Sequence, residues 1–421
     1  MSVKEKLLKK TKKYLQEESL SKLWPEAYAK AAQAPVNPRK VIFFEEKEKK
    51  CPDSYTIIME RLKRDYDFEV EVVCIGSNHV RALEYYKRVK AFLESAATAA
   101  YIFVSDSCRP ISCVNLRPET KVIQLWHACG AFKKWGMSTA DLKFGGSREA
   151  LLRHPYYKNL SLVTVSSPEV EWAYVEAMVL EDTPEIVKPL GVSRTDMFFD
   201  QEFLQEARER LEAKVPAAAG KKIILYAPTF RGRVAKAKGP SKLDVASFRQ
   251  RYKDDYVLLI KQHPFVKKPP KVPSECKDFA FDVTKKLPIE VLISCADVCI
   301  SDYSSLVFEY SLFEKPMLFF AYDKDEYDSW RGFYYDYNEL TPGPVVTTNI
   351  EMIDYIDNLD TRFNVEEVRA FKQKFMSGCD GHATDRIMAE VFGEEGLRAH
   401  AKKQLEQPAA PALAEGSQES E

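Results

Sequence analysis

The chain has 421 residues, 45% hydrophobic and 30% charged, with a formal net charge of −1. That length exceeds one ordinary core, so two domains are expected, and the balanced charge excludes a whole-surface bias toward nucleic acid or anionic membrane. Nine cysteines lie scattered without a CxxC pair or a Cys/His cluster, which points to reduced thiols in a cytosolic protein. No run of about 18 apolar residues predicts a membrane-crossing helix. The opening MSVKEKLLKKTKKYLQ is basic but has no apolar centre, so it does not read as a secretory signal.

Residues 1–35 form a Lys-rich, moderately amphipathic helical segment with two open readings. It lies on an anionic membrane surface, or it packs on its own domain. KVIFF (Lys40 to Phe44) is the first strand. A helix over Ser54 to Asp65, a strand over Glu69 to Ile75, a helix over His79 to Ser95 and a strand over Ala100 to Val104 follow. This alternation predicts an open, largely parallel α/β sheet.

A further strand, Lys121 to Leu125, runs into Trp126-His127-Ala128-Cys129-Gly130. Ligands of open α/β sheets bind outside the carboxyl ends of the strands, and His127 stands at such an end. Gly130 allows a close turn and Lys133 and Lys134 add charge. His127 is therefore a candidate general base, with a loop-bonded histidine as the competing reading. Leu162 to Ser166 is a strand, Pro168 to Val179 a helix, and Ile186 to Leu190 leads into Gly191-Val192-Ser193-Arg194-Thr195-Asp196. Arg194 there suits a bidentate phosphate contact or a linker salt bridge.

After a charged helix and Val215-Pro216-Ala217-Ala218-Ala219-Gly220, the alternation restarts. Lys222 to Ala227 ends in Pro228-Thr229-Phe230-Arg231. Tyr256 to Ile260 ends in Lys261-Gln262-His263, so a second strand-end histidine stands in the second half. Asp297 to Ile300, a turn Ser301-Asp302-Tyr303-Ser304-Ser305, a helix Leu306 to Phe313 and a strand from Met317 to Phe320 form the next unit. Ser and Asp at that helix entry either cap free N–H groups or, with the helix dipole, hold an anion. Glu309 lies one turn beyond Ser305 and would accept from a ribose diol. The aromatic, acidic stretch AYDKDEYDSWRGFYYDYNELTPGPVV is too long for a minimal connector and reads as a functional loop. Helices over Asn349 to Leu359, Val365 to Phe375 and Gly381 to Val391 precede a Pro/Ala/Glu/Ser tail expected to be disordered.

VIQLWHACGAFKKWG, GVSRTD, YAPTFRG, IKQHP, SDYSSLVFEYSLFEKPMLFF, RGFYYDY…PGP and DGHATDRI occur in one order. Together they resemble the CDP-glycerol glycerophosphotransferase family, the primases and polymerases of wall teichoic acid and related capsule polymers. The resemblance implies a glycosyltransferase-B-like architecture, two Rossmann-like domains facing a cleft. The expected division is a basic helical segment (1–35), an acceptor-side domain (36–197), a CDP-donor domain (198–378), a C-terminal helix packing back (379–403) and a tail (404–421). The implied reaction moves a polyol phosphate, with glycerol favoured over ribitol, from CDP-glycerol or CDP-ribitol to a hydroxyl of a lipid-linked acceptor, releasing CMP. His127 matches the family's proposed base and His263 its second histidine, at the diphosphate. Ser304 and Ser305 match the phosphate-binding pair, and Glu309 an acidic position at the nucleotide. Arg194, Pro228, Thr229 and Lys261 match further donor contacts. Trp126, Ala128, Cys129, Gly130, Arg231 and Gln262 complete the expected substrate-binding set. Ala128-Cys129-Gly130 departs from the usual Gly-Thr-Pro and leaves the polyol open.

No carboxylate cluster calls for a divalent metal, so no cofactor and no metal held by protein ligands are expected, with substrate phosphates able to recruit Mg²⁺ themselves. The resemblance also implies a peripheral place on the inner face of the cell membrane and no nucleic-acid partner. Two other classes stay in view. A sugar transferase of the same architecture would release a nucleoside diphosphate instead of CMP. A non-catalytic scaffold would tolerate loss of His127.

Overall fold

The computed structural model describes residue 11 and residues 14–142, 145–232 and 236–402. The first ten residues of the basic segment and the expected tail lie outside the described residues.

Apolar runs such as Val41 to Phe44 and Val257 to Ile260 are buried, which suits parallel strands covered by helices on both faces. Two parallel six-stranded sheets result. In the first, β1 (Asn37–Glu45), β2 (Glu69–Cys74), β3 (Ala99–Val104), β4 (Lys121–Gln124), β5 (Leu162–Thr164) and β6 (Val187–Lys188) lie in the order β2-β1-β3-β4-β5-β6. In the second, β7 (Lys222–Tyr226), β8 (Tyr256–Ile260), β9 (Ala280–Asp282), β10 (Val298–Ser301), β11 (Met317–Phe320) and β12 (Val345–Val346) lie in the order β12-β11-β10-β7-β8-β9. The strand order reverses between β1 and β3 in one sheet and between β7 and β10 in the other, and ligand crevices open at such switch points. Ile42 pairs with Ile102, and Ile224 with Val298.

Element starts shift where local capping decides them. The helix expected from His79 begins only at Ala82. The one expected from Gly381 begins at Ala383, where Asp196 accepts from the Ala383 and Thr384 amides at 3.1 and 2.7 Å. Two motifs far apart in sequence thus make one joint. Gly191 of the same joint has φ +90, and a Cβ there would stand 1.9 Å from the Gly378 carbonyl oxygen. The long aromatic stretch is less irregular than expected: it contains a helix, Lys324–Arg331, and the short strand β12.

The helix Ala383–Phe392 returns to the first sheet. Ile387, Met388, Val391 and Phe392 share a core with Val41, Phe43, Phe103 and Ile123. A second continuous core runs from Trp126 and Phe132 through Phe308 to Phe371 and Phe375, so the two halves are fused by packed rings. An interface this apolar restrains relative motion of the halves.

Candidate active site

β4 ends at Gln124, and the chain turns at Trp126 with φ +56. A bulky residue holds that left-handed conformation only where its surroundings over-determine it. Here the Gln124 side-chain oxygen accepts from the Trp126 amide at 3.0 Å. The buried indole lies against the rings of Trp135 and His127, both at 4.3 Å between centroids. His127 itself is exposed, and its Nδ1 lies 2.8 Å from the carbonyl oxygen of Ser105, just past β3. A carbonyl can only accept, so Nδ1 carries a proton, and in the neutral ring Nε2 keeps its lone pair. That is the protonation pattern of a general base acting through Nε2.

Asp106 follows Ser105 and is missing from the sequence expectation. It pairs with Lys47 at 2.5 Å. Burial opposes its charge, but His127, Lys47 and the Ser107 amide together hold its carboxyl below the usual range. An anion there favours the imidazolium that forms when His127 takes a proton. The signal was available, because Ser105-Asp106-Ser107 stands directly beyond a strand.

His263 follows β8 and is arranged the opposite way. The Phe265 backbone N–H donates to His263 Nδ1 at 3.2 Å, and the ring sits between Phe230 and Phe265 with centroids 4.8 and 4.7 Å away. An amide can only donate, so Nδ1 holds the lone pair and the neutral ring carries its proton on Nε2. A phosphate oxygen accepts from such an N–H.

Several expected contact residues are engaged by the protein itself. Lys261 Nζ donates to the carbonyls of Thr284 and Leu287 at 2.9 and 2.6 Å, and burial lowers its pKa. Gln262 is buried, with its side-chain oxygen lacking a hydrogen-bond partner among the described residues. Asp302 does not cap the helix it precedes. It accepts from the Thr229 amide at 2.8 Å and from the Thr229 hydroxyl, and it pairs with Arg231 at 2.9 Å. Arg231 also meets Asp323 through two nitrogens and lies over the Tyr303 ring. Its guanidinium therefore braces the loop after β7, where a substrate contact was expected. Pro228 is buried beside it.

The helix entry is left without a strong cap. Ser304 Oγ accepts from the Leu306 amide at 3.3 Å, and Ser305 makes no side-chain cap. Both serines are half-buried, which leaves hydroxyls and amides at the carboxyl end of β10. The helix is Leu306–Ser311, two residues shorter than expected at its end.

Arg194 and Glu309, expected to bind the donor, bind each other. Arg194 stands just past the first sheet, Glu309 on the helix after β10, and they pair at 2.5 Å with both side chains largely buried. Burial, the largest single effect, pulls the Arg194 pKa down, but Glu309 together with Cys129, Glu290 and Asp53 carries it above its ordinary value. Burial raises that of Glu309 despite Arg194. Gly130 also joins the halves. Its φ is +62 and a Cβ there would stand 2.4 Å from the Phe308 ring. Its glycine thus serves domain packing, where a close ligand approach was expected. Cys129 is buried behind it, next to Cys379, and Ala128 is half-buried.

The aromatic stretch straps the halves together: Lys134 N–H donates to Gly332 at 3.1 Å and Tyr334 N–H to Phe132 at 3.1 Å. Tyr335 donates to the Glu169 carbonyl at 2.8 Å. These contacts tie the His127 loop of the first half to the stretch that follows β11 in the second. Among the described residues no group of three or more His, Cys, Asp or Glu could hold a metal ion, and no helix is long and apolar enough to cross a membrane.

The sequence model of the family described as CDP-Glycerol:Poly(glycerophosphate) glycerophosphotransferase matches residues 26–393. The teichoic acid poly(ribitol-phosphate) polymerase of Bacillus spizizenii is 34% identical over 86% of this chain, which spans 57% of the polymerase's length. The teichoic acid ribitol-phosphate primase of the same organism is 31% identical over 85% of this chain and 92% of the primase. Relatives named for ribitol phosphate are 31–37% identical, and those named for glycerol phosphate 28–30%. The solved wall teichoic acid polymerase TagF superposes with a TM-score of 0.74 at 21% identity, over 95% of this chain and 99% of that one. That likeness shows the fold, two Rossmann-like domains of the glycosyltransferase-B kind.

Proposed function

The chain belongs to the CDP-glycerol:poly(glycerophosphate) glycerophosphotransferase family, and on that footing we propose that it transfers a polyol phosphate from a CDP-polyol to an acceptor hydroxyl in teichoic acid synthesis. The observation that carries the chemistry is the pair of strand-end histidines with opposite protonation patterns. The acceptor O–H gives its proton to His127 Nε2, and its oxygen attacks the phosphorus that bears the polyol. The bridging P–O bond breaks, and CMP leaves with the bonding electrons. His263 Nε2–H donates to a diphosphate oxygen, and the hydroxyls of Ser304 and Ser305 add donors where charge builds up. Asp106 stabilises the imidazolium. Magnesium enters only on the donor's phosphates.

Ribitol phosphate is our choice of transferred group, ahead of the glycerol phosphate favoured from the motifs. The higher identity to relatives named for ribitol phosphate supports this order. The acceptor is a lipid-linked polyol phosphate, and the enzyme works at the inner face of the membrane. Exposed Tyr14, Leu15 and Leu23 on the N-terminal segment suit an interfacial contact.

The test is CMP release from CDP-ribitol and, separately, CDP-glycerol, each with a lipid-linked polyol phosphate acceptor. CMP is expected with CDP-ribitol and is lost in His127→Ala. Release with CDP-glycerol alone reverses the polyol assignment. Release of a nucleoside diphosphate from a nucleotide sugar, with no CMP from either donor, overturns the reaction class.

A further inference from the structure

A cavity of about 200 Å³ opens on the first domain, with neither His127 nor His263 in its lining. Leu20 and Trp24 of the N-terminal helices form one wall, and Tyr85 and Tyr86 of the helix Ala82–Ala96 form another. The Trp24 ring lies 5.9 and 5.7 Å from those of Tyr85 and Tyr86. Gln16 and Arg109 add polar groups to the lining. Arg109 comes from the loop after β3, three residues past Asp106 and four past Ser105, the residue that orients His127. The cavity thus lies off the same sheet end from which the proposed base projects, beside the β1/β3 switch point.

Arg109 is only partly used by the protein. One terminal nitrogen donates to the Tyr156 hydroxyl and the guanidinium lies over that ring at 4.2 Å. Its Nε is buried with no hydrogen-bond partner among the described residues. That N–H has no accessible surface, so the guanidinium faces the cavity with its other atoms, and a planar fork lining a cavity matches phosphate. Aromatic walls suit the C–H faces of a sugar or the carbon chain of a polyol. Tyr85 donates to Glu46 at 2.8 Å, which fixes that wall, and the buried Glu46 carboxyl is held near the charge of Arg109.

We infer that this cavity binds the phosphorylated sugar or polyol portion of the acceptor, with Arg109 on a phosphate and Trp24, Tyr85 and Tyr86 on the carbon skeleton. The inference rests on the transfer reaction proposed above and names the place where its second substrate is held. It assigns the N-terminal helices a direct part in the site, since Leu20 and Trp24 close it.

The experiment is calorimetric titration of the full chain, without donor, with a short-chain alkyl glycoside ending in a polyol phosphate. Arg109→Gln removes the guanidinium. Gln16→Trp fills the cavity from its rim and leaves the core untouched, so it serves if the first variant unfolds. Each variant is expected to bind the probe at least about tenfold more weakly than wild type, while CDP binding stays within about twofold. Equal probe binding in wild type and both variants, or no probe binding in wild type, overturns the inference. CMP release is measured in parallel on wild type. CMP release with probe binding unaltered in the variants overturns the cavity assignment alone. Weakened probe binding in the variants without any CMP release overturns the transfer reading and leaves the binding site standing.

Discussion

The loops that carry His127 and His263 both leave the carboxyl end of a parallel strand, β4 in one sheet and β8 in the other, yet their imidazoles present opposite edges. At His127 the ring meets a carbonyl, that of Ser105, while at His263 it meets an amide, that of Phe265. The first loop is also locked by stacked indoles and by Gly130 under Phe308, whereas Phe265 of the second stands 45% exposed. One backbone partner therefore decides which histidine accepts a proton and which donates one. The tighter setting belongs to the base, where proton transfer needs the ring held in one orientation.

Glutamine tests this contrast, because its amide N–H replaces an Nε2–H donor but cannot replace a base. His127→Gln is expected to lower CMP release by about 10²–10⁴-fold. His263→Gln should lose only about tenfold, the scale of one hydrogen bond to a charged group. Equal losses in both variants would break the assignment of roles.

Glu309→Gln attacks the buried ion pair that joins the two halves, leaving Arg194 buried without its counter-charge. A loss of about 3–5 kcal/mol in chemical unfolding is expected. Gly130→Ala places a methyl against Phe308 in a left-handed backbone position, and a loss of about 1–3 kcal/mol should appear in the same assay. Retention of full stability in Gly130→Ala would mean that the His127 loop is not held by the opposite domain.

The smallest effect concerns Asp106, whose carboxyl lies below its ordinary range through His127, Lys47 and the Ser107 amide, against burial. A depressed carboxyl adds stability above the ordinary aspartate value of about 3.9 and loses it as pH falls through the lowered one. Wild type should thus exceed Asp106→Asn in stability at neutral pH, and the gap should close on acidification. A gap that widens on acidification would contradict the sign of this shift.

Much of the architecture was legible because parallel strands covered on both faces are written as unbroken apolar runs, as in Val41 to Phe44 and Val257 to Ile260. The two histidines were legible because they follow such runs directly. Asp302 was not: as a residue before a helix it reads as a cap, yet it clamps Thr229 and Arg231, over 70 positions earlier. Arg194 was read as a phosphate contact or a salt bridge and Glu309 as a nucleotide contact, and neither reading named the other residue because a lone charge carries no sign of its partner. The strand β12, only two residues long, and the helix Lys324–Arg331 inside the aromatic stretch are too short or too polar to show a period.

By itself the sequence determined two parallel α/β units, the order of their motifs and the family to which the chain belongs, since hydrophobic period and local spacing act over a few residues. Only the tertiary structure decided the tautomer of each histidine, the pairing of Arg194 with Glu309, the clamp at Asp302 and the cavity closed by Trp24. Each of these depends on which backbone or side-chain group a folded neighbour presents. Hydrogen bonds and ion pairs have no reach along the chain, and they form only once packing has brought distant residues within about 3 Å.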